Sequence, residues 1–277
     1  MYKLIPHEIK IRRGAIIGWT IGLAAFILLY VTVYPTLPAE YYEIPIEEIE
    51  FYRAIGVTSM ATFEGYLLSI VFNILPLLAG IFGITLGVGV LAGEEDSGTL
   101  ELLAALPLSR VQLVLAKVVA LAITVFLVML IVGLIVMGVF MAIQDQIETT
   151  VTATDMFMVT LIHWLITFVF ATIGLFVGAY LPNRRASLSV SFVLLVIAFF
   201  GNNLAGMTPS LEPFQPLTPS YYFDNIVRIL VGENAWGDVL VLLAMAVGFL
   251  LLALISFQKR NLTVGAWPWQ RGKVPTS

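Results

Sequence analysis

Apolar residues gather in six long runs, each parted from the next by a shorter stretch that carries most of the charge. The runs read as Gly14–Tyr34, Tyr66–Ala92, Leu113–Ile143, Asp155–Leu181, Leu188–Gly206 and Trp236–Phe257. A helix needs roughly 20 apolar residues to cross about 30 Å of hydrocarbon, and each run is close to that length or beyond it. The third is the longest and predicts either tilt or an extension past the bilayer. The pattern therefore predicts an all-α polytopic membrane protein with six transmembrane helices. They would form one transmembrane domain over residues 1–260, followed by a cytoplasmic tail at 261–277. A chain of 277 residues leaves no room for a second folded domain of ordinary size.

Composition agrees. Mean hydropathy is +0.98, with 60% hydrophobic and 12% charged residues, more apolar surface than a soluble domain can hide. There is no cysteine, which excludes disulfides, cysteine-metal sites and thiol catalysis. The opening "MYKLIPHEIKIRRGAIIGW" is basic and leads into an apolar run longer than a signal-peptide core. No small-residue cleavage pattern follows, so this run is expected to persist as the first span.

Charge sets the expected orientation. Of the 14 Lys and Arg, only Arg53 and Arg228 lie after odd-numbered spans, whereas 13 of the 18 acids fall on that side. The positive-inside rule places the other side, with both termini, in the cytoplasm. "Inner" and "outer" below follow that assignment. The acidic pI of about 5.2 then reflects the outer segments and gives no reason to expect nucleic acid as a partner. Two outer segments, "EYYEIPIEEIEFYRAIG" and "EPFQPLTPSYYFDNIVRIL", read as helices at the membrane interface, with Ser220 as the expected N-cap of the second.

The inner stretch "GEEDSGTLELLAALPLSRVQ" at 93–112 crowds charge, Gly and Pro between two spans. Gly93 is expected to end the second span, and Asp96, Ser97 or Thr99 to cap a short helix with Glu101 in its first turn. Leu102, Leu103 and Leu106 give that helix an apolar face, and Pro107 stops it. Ser109 and Gln112 then form a capping box for the next helix. One reading is a plain solvated turn. The other, that an amphipathic capped helix exists to dock, asks what it docks against.

The stretch "EEDSGTLELLAALPLSRVQLVLAK" resembles the first cytoplasmic loop of ABC-2 type permeases, the membrane subunits of a group of ABC transporters. Glu94, Glu95, Gly98, Thr99, Leu102, Pro107, Ser109, Arg110 and Lys117 follow that family's order and spacing. The six spans, the basic N-terminal segment and "LTPSYYFDN" before the last span resemble it as well. The acidic segment after the first span has no counterpart in the resemblance.

The resemblance implies a short cytoplasmic coupling helix between spans two and three that contacts a separate ATPase subunit, with Glu94, Glu95, Gly98, Thr99, Glu101, Leu102, Pro107, Ser109 and Arg110 as the coupling loop. It also implies a second permease subunit, the same chain or a related one. The N-terminal segment would lie on the inner membrane surface as an amphipathic interface helix. Lys10, Arg12 and Arg13 can meet anionic lipid there, or can simply anchor the topology. Expected localisation is the plasma (inner) membrane of a prokaryote.

No G-x-x-x-x-G-K-[ST] occurs, so no phosphate-cradling loop lies in this chain, and ATP with its Mg would be bound by the partner. No catalytic set and no metal site is expected. His7 and His163 are the two histidines, and Glu94-Glu95 sits at a span end, away from any other catalytic group. Asn73, His163 and Asn202 are the candidate substrate path, since polar groups inside a bilayer are functional candidates. The alternative is that each bonds a neighbouring helix. Charges are absent from the span centres, Lys117 lying towards an inner end. That argues against an ion-coupled transporter and for a hydrophobic or amphipathic substrate. Gly14, Gly18 and Gly22, then Gly80, Gly83 and Gly87, then Gly174 and Gly178, allow close helix approach, within a subunit or between two.

Overall fold

The computed structural model describes residues 4–38, 49, 60–96, 110–181, 183–228 and 235–259. Helix α1 (Leu4–Ile11) is short and leads at once into α2 (Arg13–Val33), which closes in a 3-10 turn at Tyr34–Thr36. The second span, α3 (Phe63–Asp96), contains one π-helical turn at Leu67–Val71 and Pro76 beyond it. Then come α4 (Arg110–Ile143), α5 (Ala153–Tyr180), α6 (Arg184–Met207), the short α7 (Pro219–Val227) and α8 (Trp236–Lys259). Six of these helices are long and apolar enough to cross a membrane, and no strand occurs among the described residues.

Boundaries depart from the sequence pattern where capping chemistry decides. Helix α3 runs on through Gly93 to Asp96, and the expected capped helix after it lies outside the described residues. Helix α5 starts two residues earlier than its apolar run, because Thr152 and Asp155 form a reciprocal capping box. Asn183 caps α6 through its side chain. The N-cap of α7 is Thr218, which accepts from the Tyr221 amide at 3.3 Å, while Ser220 is buried inside the helix. The tail after Lys259 and the acidic segment after the first span lie outside the described residues, apart from Ile49.

The centre of the bundle is α5, which packs against α3, α4 and α8. Lipid tails are as apolar as leucine, so helices in a membrane associate through close packing and hydrogen bonds. The α3–α5 seam is the tightest case. A Cβ on Gly83 or Gly87 would collide with the backbone of Thr167 or Ala171, and one on Gly174 would lie 2.9 Å from the Ile84 carbonyl oxygen. Gly14, Gly18 and Gly22 behave differently, for a Cβ there would meet nothing within 4 Å. The glycines of the first span thus make no close packing inside this subunit.

The outer ends are tied by polar and aromatic contacts. Glu64 Oε1 accepts from Thr149 Oγ1 at 2.7 Å and from the Thr150 amide at 3.0 Å, joining α3 to the α4–α5 connection. Tyr66 donates to the Tyr30 carbonyl at 3.1 Å, and Tyr34 packs edge-on to Phe63 with ring centres 4.8 Å apart.

The seam predicts an asymmetric response to one added methyl. Gly87→Ala should lower the thermal unfolding midpoint in detergent by the equivalent of about 1–3 kcal/mol, the usual cost of overpacking. Gly18→Ala should leave the midpoint unchanged or slightly raised. Equal behaviour of the two variants would contradict the seam.

Candidate functional site

Four charged side chains converge at the inner end of the bundle. Lys117 lies about 10 Å along α4 from its start and is wholly buried. Its ammonium donates to Glu8 Oε1 of α1 at 2.6 Å and also to Glu94 Oε1 of α3. Glu8 in turn accepts from Arg12 at 3.0 Å through its other oxygen. Burial lowers the Arg12 pKa, while the charges of Glu8 and Glu94 and the Glu8 hydrogen bond oppose that effect.

The arithmetic of the cluster explains why it can be buried. Two carboxylates and two cations sum to zero, and one lysine is shared between carboxylates on two different helices. An isolated ion there would be costly, but each of these charges has an opposite charge within hydrogen-bonding distance, even though Arg12 Nη1 has no hydrogen-bond partner among the described residues. The result is a three-way junction of α1, α3 and α4. Glu94 is the pivot, for the stretch 97–109 begins three residues beyond it.

These placements change the expected roles of several residues. Arg12, in the turn between α1 and α2, is held by Glu8 one turn back, while Lys10 and Arg13 are exposed. Helix α1 is therefore docked on α4 through a buried ion pair, in addition to its exposed basic face. Glu94 and Glu95 are half-buried at the end of α3. Gly98, Thr99, Glu101, Leu102, Pro107 and Ser109 lie outside the described residues, and Arg110 is described only as the backbone that opens α4. Glu8 escaped the sequence reading, although its i, i+4 spacing to Arg12 was a visible pairing signal.

The comparison with protein families bears on this arrangement. A family model described as "ABC-2 family transporter protein" matches residues 2–262, nearly the whole chain. The chain belongs to the ABC-2 transporter family. No curated protein matches it. The residues of this ABC-2 permease that resembled the family's loop motif, Glu94 and Lys117, are thus joined in space across the segment that separates them in sequence.

The candidate path residues are spread over three helices. Asn73 is half-buried on α3, one residue past Phe72. His163 is fully buried on α5 and donates from Nδ1 to the Val159 carbonyl at 2.7 Å, so it bonds its own helix and not a neighbour. Asn202 on α6 donates from Nδ2 to Asp224 Oδ2 of α7 at 2.6 Å. Two of the three therefore abut α7, since Phe223 packs edge-on to His163 with ring centres 4.8 Å apart. Asp224 was not singled out from sequence, because nothing local shows that α7 folds onto α6.

Asp224 keeps one side open to solvent, yet protein closes around the rest and pushes its carboxyl up to about 7. Burial is the cause; the bond from Asn202 and the charge of Arg228 oppose it. Among the described residues no group of His, Asp and Glu has the geometry to hold a metal ion.

Two outcomes are expected. Lys117→Met leaves Glu94 without its cation while Glu8 keeps Arg12, and should cost about 3–5 kcal/mol of stability, the range for breaking a buried ion pair. Adding Glu94→Gln, which restores neutrality and keeps the Glu8–Arg12 pair, should recover most of it, as read by unfolding midpoint. Separately, the folded state holds the Asp224 proton more tightly than the unfolded chain does. Stability should therefore fall as pH rises from 3.8 to about 7, then level off. Asp224→Asn, which keeps an oxygen for Asn202, should flatten that slope in a pH series of melting curves.

Proposed function

We propose that this ABC-2 family protein is the permease subunit of an ATP-driven exporter or flippase for a hydrophobic or amphipathic substrate. A separate ATPase subunit docks on the 93–112 loop, binds the ATP and Mg, and drives a dimer of this chain with itself or with a related permease. The plasma membrane of a prokaryote is the proposed setting.

The observation that carries the reading is the charge cluster at the root of the loop. Glu94 leads directly into the docking segment, and Lys117 links it to α4 and, through Glu8, to α1. A displacement of the loop by a closing ATPase is thereby delivered to two spans and to the N-terminal helix together. The lack of a P-loop supports an external source of ATP hydrolysis, so that the chain itself is not an enzyme. Burial of the cluster's charges at one end of the bundle also supports structural coupling over an ion relay running through it.

The test is purification of the tagged chain from its native membranes in mild detergent, with bound proteins identified by mass spectrometry. A stoichiometric ATPase with a Walker motif should accompany the wild type. It should be lost from the double variant Glu101→Lys, Leu102→Asp without loss of the permease itself. Absence of any ATPase across several detergents would overturn the proposal in favour of an assembly protein. Uptake by ATP-free vesicles under an ion gradient would instead indicate a secondary transporter.

A further inference from the structure

Four irregularities meet at one place. The π-helical turn Leu67–Val71 of α3 ends at Phe72, and Pro76 has no N–H to offer the Phe72 carbonyl. π-turns inside α-helices recur at functional sites. His163 faces Phe72 with ring centres 5.7 Å apart and Phe223 at 4.8 Å. A carbonyl can only accept, so the bond to Val159 fixes the imidazole proton on Nδ1 and leaves Nε2 as a bare acceptor. No group among the described residues bonds Nε2, although it is fully buried. An acceptor left unmatched in an apolar setting is costly and asks for an explanation.

The cover of this place is a helix too short to span the membrane. Helix α7 spans nine residues, begins at a proline and reaches the bundle by burying Phe223, Ile226 and Val227. Its side-chain tethers include the Asn202–Asp224 bond and a longer one, 3.4 Å, from Asn225 to Asp238 of α8. Movement of α7 would withdraw Phe223 from His163 and leave a slot with an aromatic wall and one acceptor. The two rings that flank the histidine carry no charge, so an ionic head finds no partner in them.

We propose that the junction of Phe72, His163 and Phe223 is a binding subsite for a flat apolar or aromatic molecule bearing a neutral hydrogen-bond donor, which displaces Phe223 and donates to His163 Nε2. The subsite names the substrate class within the permease reading and rests on it.

The experiment uses the full chain in lipid nanodiscs with two probes, 2-naphthol and 2-methoxynaphthalene, the second carrying a methyl group in place of the donor hydrogen. Half-saturation is read from the shift of the unfolding midpoint with probe concentration. The naphthol should half-saturate the wild type at about a tenfold lower concentration, the value of one modest buried hydrogen bond. His163→Phe should bring the two probes level, and His163→Gln, which retains an acceptor, should restore part of the preference. Equal binding by the wild type, or a preference that survives in His163→Phe, would overturn the subsite. Should His163→Phe not fold, Phe223→Ala decides. Trimming the cover should tighten naphthol binding severalfold, and unchanged affinity would overturn the proposal. The assay contains no ATPase and measures no transport. A missing ATPase in the pull-down thus counts against the permease reading, and equal probe binding counts against the subsite alone.

Discussion

Hydrocarbon gives helices no hydrophobic reason to associate and no water to satisfy a stray backbone group. What remains is contact at short range, and the α3–α5 seam provides it. Gly83, Gly87 and Gly174 let two backbones approach until carbonyl oxygens of one helix touch the α-carbons of the other. Three of the other spans pack on this pair, and α2 packs chiefly on α4. Helices α4 and α8 pack on the remaining faces of α5, and α6 packs on α3. Helix α4 is further pinned by Trp164, whose indole N–H donates to the Ala122 carbonyl at 3.1 Å.

Because the seam fixes α3, it also fixes where the end of α3 can reach. Glu94 lies just beyond the glycines and meets Lys117 of α4, which no sequence pairing brings near. The cluster is neutral as a whole, and this allows a lysine to be buried completely without losing its charge partners. Its energetic character follows. The intact network adds little net stability, whereas removal of one member leaves a buried charge unmatched. Such a junction is rigid while complete and sensitive to displacement of any member, which suits an element that passes motion from a surface loop to spans.

The opposite end is built on weaker terms. The short α7 is held by an aromatic contact to His163 and by the Asn202–Asp224 bond. Five of its nine residues are buried, but it is too short to cross the bilayer and rests on the ends of its neighbours. The contrast divides the molecule into a charged junction at one end and a short cover at the other, joined by the packed α3–α5 pair.

The number of spans and their extents were legible in the sequence, since length and hydropathy are local properties dictated by the thickness of the bilayer. The family was legible as well, from the loop motif between spans two and three. Helix ends were read less well. Ser220 could serve as a cap by residue type, but backbone geometry gave that role to Thr218. Glycine spacing showed that α2, α3 and α5 could pack closely, yet only tertiary structure decided that α3 and α5 do so while α2 leaves its glycines open. The partners of Lys117 and Asn202 were likewise beyond the sequence. Periodicity tells which face a residue occupies on its own helix, and the faces that meet are settled by how whole helices dock.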